Sequence, residues 1–171
     1  MNFKKLKLEF FHIRKAFREY HQGWSYIYNK FFLSKKIISL GQRLDKPVTH
    51  QDLSIHTMLG HQHVIMAIWS LASYFSASQV SGKLYLHSDG TLTARDKSIL
   101  LKFFPEAEIV DPQEVLVKYA AEYNKYPRLK AFRLKHAENF FQTKLIDPYI
   151  ISDKPYRFFL ILIFYGFKIL T

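Results

Sequence analysis

The sequence predicts an α/β fold in which a mainly parallel sheet is flanked by helices and preceded by a helical N-terminal segment. From Leu53 onward, short apolar runs alternate with amphipathic stretches, the order typical of strands joined by crossover helices. Before that point, aromatic residues recur every three or four positions among basic residues, which indicates helix. The polar connection from Gly41 to His50 separates the two patterns. We therefore predict two regions, residues 1–50 and a Rossmann-like region of residues 51–171.

The composition is that of a globular chain and excludes several classes of protein. Of 171 residues, 49% are hydrophobic and 23% are charged, with six glycines and six prolines, so collagen-like and disordered chains are excluded. Cysteine is absent, which excludes a disulfide scaffold, a thiolate zinc site and a cysteine nucleophile. The eight histidines do not predict zinc, because His61 and His63 would point apart on a helix.

The net charge of +11 is concentrated in the first region. Residues 1–50 hold 11 Lys/Arg against three acidic residues (+8), and the other 121 residues hold 14 against 11 (+3). A basic helix with an aromatic side indicates an anionic partner, either a membrane surface or nucleic acid, and a solvated helix is the alternative. No recognised nucleic-acid motif supports the second partner. We therefore expect peripheral membrane contact through residues 1–50.

The location follows from two further features of the sequence. The basic residues after Met1 are not followed by an apolar signal-peptide core, so we expect a cytoplasmic protein, peripheral at most to the inner face of the membrane. The run Phe158–Phe167 has ten residues between Arg157 and Lys168, whereas a helix that crosses about 30 Å of hydrocarbon needs about 20. A buried strand is the better interpretation of this run.

The strands and helices of the second region follow from apolar runs and end signals. Strands are predicted at Leu53–Leu59, Lys83–His87, Glu108–Val110 and Tyr156–Phe164, the last as a central strand that is apolar on both faces. Helices are predicted at His63–Phe75, at residues 93–104, from Asp111 to about Tyr123, at Arg128–His136 and at Asn139–Ile146. Thr93 and Asp96 have the spacing of a capping box, and Asp111 with Pro112 and Glu114 signals the next helix start.

Polar residues at the carboxyl ends of the first two predicted strands are the candidate ligand contacts. Ligands bind at this edge of open parallel sheets. The segments His56–His61 and His87–Thr91 offer polar side chains and backbone amides beside Gly60 and Gly90, as a nucleotide requires. The chain has neither GxGxxG nor GxxxxGK[ST], and neither GxSxG nor HExxH, so dinucleotide enzymes, P-loop NTPases and the corresponding hydrolases are not predicted.

Three stretches carry a family resemblance: LSIHTMLGHQHVIMAIWSLASYF, SDGTLTARDKSILLKFFPEAEIV and KAFRLKHAENFFQTKLIDPYIISDKPYRFFL. They resemble the amino-terminal half of bacterial glycosyltransferases with the nucleotide-diphospho-sugar transferase (GT-A type) fold, over about residues 50–160. The resemblance implies a partial GT-A fold and sugar transfer from a nucleotide-diphosphate sugar to an acceptor. It implies that the nucleotide is bordered by His56, Thr57, Met58, Asp89 and Gly90. It also implies that Arg133 and Lys144 lie near the diphosphate.

The resemblance also implies an Asp-x-Asp motif after the last strand, where two carboxylates hold Mg or Mn against the diphosphate. This chain reads ILIFYGFKILT there. By the genetic code, restoring one nucleotide after the codon for Leu160 permits Asp-Thr-Asp in place of Ile161–Ile163. We therefore expect a truncated or frameshifted, inactive product with no cofactor of its own, no catalytic residue, and weak or lost binding of the sugar nucleotide. Sequencing of the locus tests this hypothesis.

Overall fold

The computed structural model describes residues 3–136 and 140–160. The described residues fall into two compact units, residues 3–40 and residues 41–160, which we call the first and second units. The second unit begins at Gly41, at the start of the connection where the sequence pattern changes. Among the described residues, no helix has the length and apolar character needed to cross a bilayer.

The first unit is helical, as its periodicity predicts. Its elements are α1 (Phe3–Arg18), α2 (Gly23–Tyr28), a π-helical turn (Asn29–Leu33) and α3 (Ser34–Leu40). The helical segment is interrupted before Gly23, because α1 ends at Arg18 and α2 begins at Gly23. A Cβ atom at residue 23 would lie 2.2 Å from Cγ of Phe17, so the close approach of the two helices requires glycine.

The second unit contains a four-stranded parallel sheet, which confirms the predicted fold class. Its strands are β1 (Leu53–Leu59), β2 (Lys83–Ser88), β3 (Glu108–Val110) and β4 (Tyr156–Leu160). They lie in the order β3-β2-β1-β4, and every neighbouring pair is parallel. The registers pair His56 with Tyr85 of β2 and with Phe159 of β4. The first three strands occur where the sequence predicts them, with one additional residue in β2.

Helices lie between the strands, as crossover connections require. After a 3₁₀ turn (His61–His63) they are α4 (Val64–Ala77), α5 (Ala94–Phe103), α6 (Val115–Lys118), α7 (Ala120–Asn124), α8 (Pro127–Lys135) and α9 (Phe140–Ile151). The predicted single helix from Asp111 is wrong, since α6 and α7 are separate and α6 begins at Val115. Asp111 Oδ1 accepts a hydrogen bond from Gln113 N at 3.1 Å, so its side chain stabilises a turn that precedes the helix.

The predicted end of the last helix at Ile146 is also wrong, because α9 continues through Pro148 to Ile151. Proline inside a helix removes one backbone hydrogen bond. Burial offsets that loss here, since Ile146, Ile150 and Ile151 are each at most 8% exposed and pack in one cluster with Tyr85 of β2.

The sheet has two faces of different chemistry. Ile55, Leu59, Leu84 and Leu86 share one face, which we call the apolar face. It packs against α4, where Tyr74 stacks on Phe158 of β4 with ring centroids 5.5 Å apart. The opposite face, which we call the polar face, carries Ser54, His56, Tyr85, His87 and Arg157 and lies against α9.

The prediction that the last strand is buried on both faces is wrong for the described residues. Tyr156 and Phe158 of β4 are 68% and 42% exposed. The physical reason is that β4 has one neighbour, β1, within the described part of the chain. The remainder of the predicted strand, residues 161–164, lies outside the described residues, as does the Asp-x-Asp position.

Candidate functional site

The carboxyl ends of the strands meet at one edge of the sheet and carry the candidate site. The strand order reverses between β1 and β4, because the chain proceeds from β1 through β2 to β3 on one side and places β4 on the other. In open parallel sheets ligands bind beside such a reversal. The loops that follow β1, β2 and β3 at this edge begin at Gly60, Asp89 and Asp111, and we call them the carboxyl-edge loops.

Asp89 is fixed at the tip of β2 by its neighbours. Its backbone N donates to Leu59 O at 3.0 Å, which extends the ladder between β1 and β2 by one residue. Its Oδ1 accepts hydrogen bonds from Thr91 N at 2.8 Å and from Thr91 Oγ1 at 2.5 Å. Within the described residues its Oδ2 has no donor. The site therefore presents a half-buried carboxylate whose orientation is fixed by Thr91.

Two glycines give the carboxyl-edge loops their shape. A Cβ atom at residue 60 would lie 2.0 Å from Asp89 Oδ2, so the position of this carboxylate depends on glycine at the end of β1. Gly90 is exposed and has a φ of 89°, a conformation that L side chains rarely adopt. Its missing side chain leaves the backbone beside Asp89 open to a ligand.

A polar cluster joins the first two carboxyl-edge loops to the start of α5. His61 N donates to Thr91 Oγ1 at 2.9 Å, and His61 Nδ1 lies 2.8 Å from Asp96 Oδ2. Thr93 and Asp96 form the predicted capping box, which is confirmed. Burial alone would raise the pKa of Asp96, but hydrogen bonds from Thr93 and His61 outweigh it and lower the pKa. The cluster thus holds a charged carboxylate beneath the loops.

On the polar face, directly below this edge, two buried histidines contact one another. His56 Nδ1 lies 2.9 Å from His87 Nε2, and His56 Nε2 lies 2.9 Å from Ser54 Oγ. Because Ser54 Oγ donates to Tyr156 O at 3.3 Å, it accepts from His56 Nε2, and His56 Nδ1 then accepts from His87 Nε2. Both rings are neutral in this chain of hydrogen bonds.

Burial explains the neutral state of both rings. Burial first, and then the charges of His87 and Arg157, lower the pKa of His56 to about 3. Burial also lowers the pKa of His87 to about 4, against the opposing effect of Glu108. A cavity of about 10 Å³, room for one water molecule, lies beside the two rings and is also lined by Met58, Pro148 and Leu160.

Arg133 lies in a buried ion pair. Its Nε and Nη2 donate to the two carboxylate oxygens of Asp147 at 2.9 and 3.1 Å, and Tyr123 Oη donates to the same carboxylate at 2.6 Å. The side chains of Arg133 and Asp147 are 1% and 3% exposed. Arg133 Nη2 also lies 3.4 Å from Pro112 O, so the ion pair supports the third carboxyl-edge loop from below.

The structure thus distributes the sequence-predicted site residues over three environments. Asp89 and Gly90 lie on the carboxyl edge, and Met58 lines the small cavity below it. His56 and Thr57 are buried within β1, because the strand continues to Leu59, and Thr57 Oγ1 donates to Leu160 O at 3.0 Å. Arg133 is buried against Asp147, and Lys144 lies in α9, with its side chain outside the described part of the structure.

Three residues that shape the edge lie within the candidate segments His56–His61 and His87–Thr91, but the sequence pattern assigns them no individual role. Gly60 makes room for Asp89, Thr91 orients it, and His61 connects the loop to Asp96. The order Asp-Gly-Thr is a turn signal that could have identified Thr91, since an aspartate side chain often accepts from the residue two positions on. The contact between His61 and Asp96 spans 35 positions, and no local pattern in the sequence indicates it.

A larger cavity of about 250 Å³ lies at the amino-terminal end of β2, away from these loops. Gly82, Lys83 and Lys46 line it. Lys83 Nζ donates to Glu108 at 2.8 Å and Lys46 Nζ donates to Ser78 O at 2.9 Å, so both cations are occupied. The carboxyl edge, where Asp89 Oδ2 has no donor within the described residues, is therefore the stronger candidate site.

Comparison with known proteins gives no relative on which to base an assignment: no family model, curated protein or solved structure matches this chain.

Proposed function

We propose that the second unit is the nucleotide-binding half of a GT-A type glycosyltransferase, which transfers a sugar from a nucleotide-diphosphate sugar to an acceptor. Two lines of support agree. The sequence of residues 50–160 resembles that part of such enzymes. The parallel sheet of the second unit has its strand-order reversal between β1 and β4, and the loop after β1, which borders this reversal, contacts Asp89 through Gly60. This reversal is the observation on which the proposal rests.

In this proposal Asp89 and Gly90 recognise the nucleotide. A carboxylate at a strand end accepts hydrogen bonds from ribose hydroxyls, and Asp89 Oδ2 is the oxygen without a donor among the described residues. Gly90, without a side chain, lets the nucleotide approach the backbone. Arg133 supports the neighbouring Pro112 loop and does not offer its charge to the diphosphate, because Asp147 occupies its guanidinium.

The resemblance implies a cation at the Asp-x-Asp position, which lies outside the described residues. Within residues 3–136 and 140–160, no group of three or more His, Asp or Glu side chains is arranged to hold a metal ion. Mg or Mn is expected in a complete homologue and not in this chain, so no step of the proposal depends on a cation.

Titration of uridine diphosphate and guanosine diphosphate into the full chain, followed by calorimetry, tests the proposal. We expect one of them to bind weakly, as half a site allows, and we expect Asp89→Ala to weaken that binding about tenfold, the usual cost of a lost hydrogen bond to a charged group. Gly60→Ala should have the same effect, because its methyl group displaces the Asp89 carboxylate.

Asp153→Ala is the matched control, since Asp153 is 86% exposed and precedes β4 at the opposite edge of the sheet. Equal affinities of Asp89→Ala and the unchanged chain would place the nucleotide elsewhere. Failure of the unchanged chain to bind either diphosphate would refute the proposal.

A further inference from the structure

A stripe of apolar side chains, all exposed except half-buried Ile13, runs along α1 of the first unit. Its members recur at three- or four-residue spacing, so they share one side of the helix. We call these residues the α1 stripe: Phe3, Leu6, Phe10, Ile13 and Phe17. Phe3 and Phe10 are 73% and 74% exposed. Contiguous apolar surface of this kind marks a site that a partner covers.

Further aromatic residues of the first unit are exposed after α1. Trp24 and Tyr28 of α2 are 77% and 52% exposed, and Phe32 of the following turn is 63% exposed. Trp24 is held edge-on against Phe17, with ring centroids 5.5 Å apart, so it adjoins the α1 stripe. Trp and Tyr have an apolar ring and a polar atom, and both are favoured where hydrocarbon meets water.

Basic side chains border the α1 stripe. Residues 3–40 contain nine Lys/Arg against Glu9 and Glu19, a net charge of +7. Both acidic side chains are paired within the unit, Glu9 with Lys30 and Glu19 with Lys15 at 3.6 Å.

Three of the remaining cations lie along the helix beside the stripe. Lys7, Arg14 and Arg18 recur at seven and four positions and so lie along one border of it. All three are exposed, and none has an acidic partner within the described residues. The border therefore offers positive charge that an anionic surface can neutralise.

We propose that residues 3–40 bind the surface of a lipid bilayer that contains anionic headgroups. The α1 stripe and Trp24 enter the boundary between headgroups and acyl chains, while Lys7, Arg14 and Arg18 meet the lipid phosphates. With 16 residues, α1 is about 24 Å long and lies in the plane of the surface.

The composition of the surface favours lipid over two other partners. Leu6 and Ile13 are aliphatic and cannot stack on nucleic-acid bases, whereas both gain free energy in hydrocarbon. The charge of +7 opposes close contact with a second copy of the same surface.

Sedimentation of the full chain with vesicles tests the proposal. We expect binding to vesicles of phosphatidylcholine with phosphatidylglycerol, much weaker binding to phosphatidylcholine alone, and partial release by salt. Arg14→Glu with Arg18→Glu should weaken binding at least tenfold, and so should Phe10→Ser with Trp24→Ser.

Two matched controls lie in the second unit. Lys102→Glu with Arg128→Glu makes the same charge change at exposed positions, and Val117→Ser with Leu145→Ser removes apolar side chains that are 80% and 70% exposed. Both should bind vesicles like the unchanged chain. Circular dichroism should show native helix content in all four variants, because every substituted side chain is exposed.

Three results would overturn the proposal. One is equal vesicle binding by the first-unit variants and their controls. Another is tighter binding of the chain to single- or double-stranded nucleic acid than to anionic vesicles, which would favour that partner. The third is an oligomer in solution that Phe10→Ser with Trp24→Ser converts to a monomer, which would show that a second copy covers the surface.

Discussion

The apolar and polar faces of the sheet are supplied by the same strands and stabilised by different interactions. On the apolar face, which packs against α4, Leu86 and Ile55 are fully buried, and their contribution comes from removing hydrocarbon from water. On the polar face, buried His56, His87 and Ser54 depend on hydrogen bonds of defined direction. The cost of a substitution on the apolar face therefore depends on the volume of side chain that is removed. On the polar face it depends on whether each buried polar group keeps a hydrogen-bond partner.

The largest loss of stability should follow from breaking the buried ion pair between Arg133 and Asp147. We expect Asp147→Leu to lower the free energy of unfolding by about 3–5 kcal/mol, because it leaves the buried Arg133 guanidinium without its counter-charge. Urea denaturation followed by circular dichroism measures this loss. The double variant Arg133→Met with Asp147→Leu should lose less than the single variant, since it leaves no buried charge.

The exposed pair of Lys125 and Glu122 provides the control for this comparison. Glu122→Gln should change the free energy of unfolding by less than about 1 kcal/mol, as exposed pairs usually do. An Asp147→Leu variant as stable as Glu122→Gln would show that the buried ion pair does not contribute to the free energy of unfolding.

A slightly smaller loss is expected from a cavity on the apolar face. Leu86 is fully buried in the middle of β2, so Leu86→Ala should lower the free energy of unfolding by about 3 kcal/mol. Leu101 of α5 is 39% exposed, and Leu101→Ala should cost much less. Urea denaturation at pH 7 and pH 5 should give the same loss for Leu86→Ala at both values, because no ionisable group is altered.

Lowering the pH should instead reduce the stability of the folded chain through the histidines of the polar face. The pKa of His56 is lowered from 6.5 to about 3, and that of His87 from 6.5 to about 4. Below pH 6.5 the unfolded chain binds protons that the folded chain does not, so stability falls as the pH falls toward these values. We expect the free energy of unfolding to decrease by about 2 kcal/mol for each of the two histidines between pH 7 and pH 5.

Replacing both His56 and His87 separates their contribution to the pH-dependent loss of stability from that of other titratable groups. His56→Gln with His87→Gln should be less stable at pH 7 but should lose much less further stability between pH 7 and pH 5 in urea denaturation. Carboxylates such as Glu108, whose pKa is lowered from 4.5, contribute mainly below this window. An unchanged slope in the double variant would mean that the histidines are not the acid-sensitive groups.

The parts of the fold that could be predicted from the sequence are those that leave a local pattern. Apolar runs predicted β1 and β3 to the residue, because a short strand that is covered on both faces leaves a local apolar run between turn signals. The capping box of Thr93 and Asp96 was also predictable, since both partners lie within one helical turn.

What could not be predicted depends on contacts between distant positions. His56 and His87 are 31 positions apart, and the position of Arg133 depends on Asp147 in the next helix. Pro148 gave a local signal for a helix end that tertiary burial of Ile150 and Ile151 outweighed. The candidate site is of this second kind, because Gly60 and Asp89 meet only when β1 and β2 pair.

The smallest effect should come from the capping box of Thr93 and Asp96 at the start of α5. Thr93 Oγ1 accepts from Asp96 N at 3.2 Å, and Thr93 N donates to Asp96 Oδ2 at 2.8 Å. Thr93→Ala removes the first contact, together with the hydrogen bond that Thr93 Oγ1 donates to Asp96 Oδ2 at 2.7 Å, and should lower the free energy of unfolding by about 1 kcal/mol. Thr93→Ser keeps the hydroxyl group and should lose much less. Thermal unfolding of both variants distinguishes a lost hydrogen bond from a lost methyl contact, because equal destabilisation would mean that the methyl group, and not the hydroxyl group, stabilises this helix start.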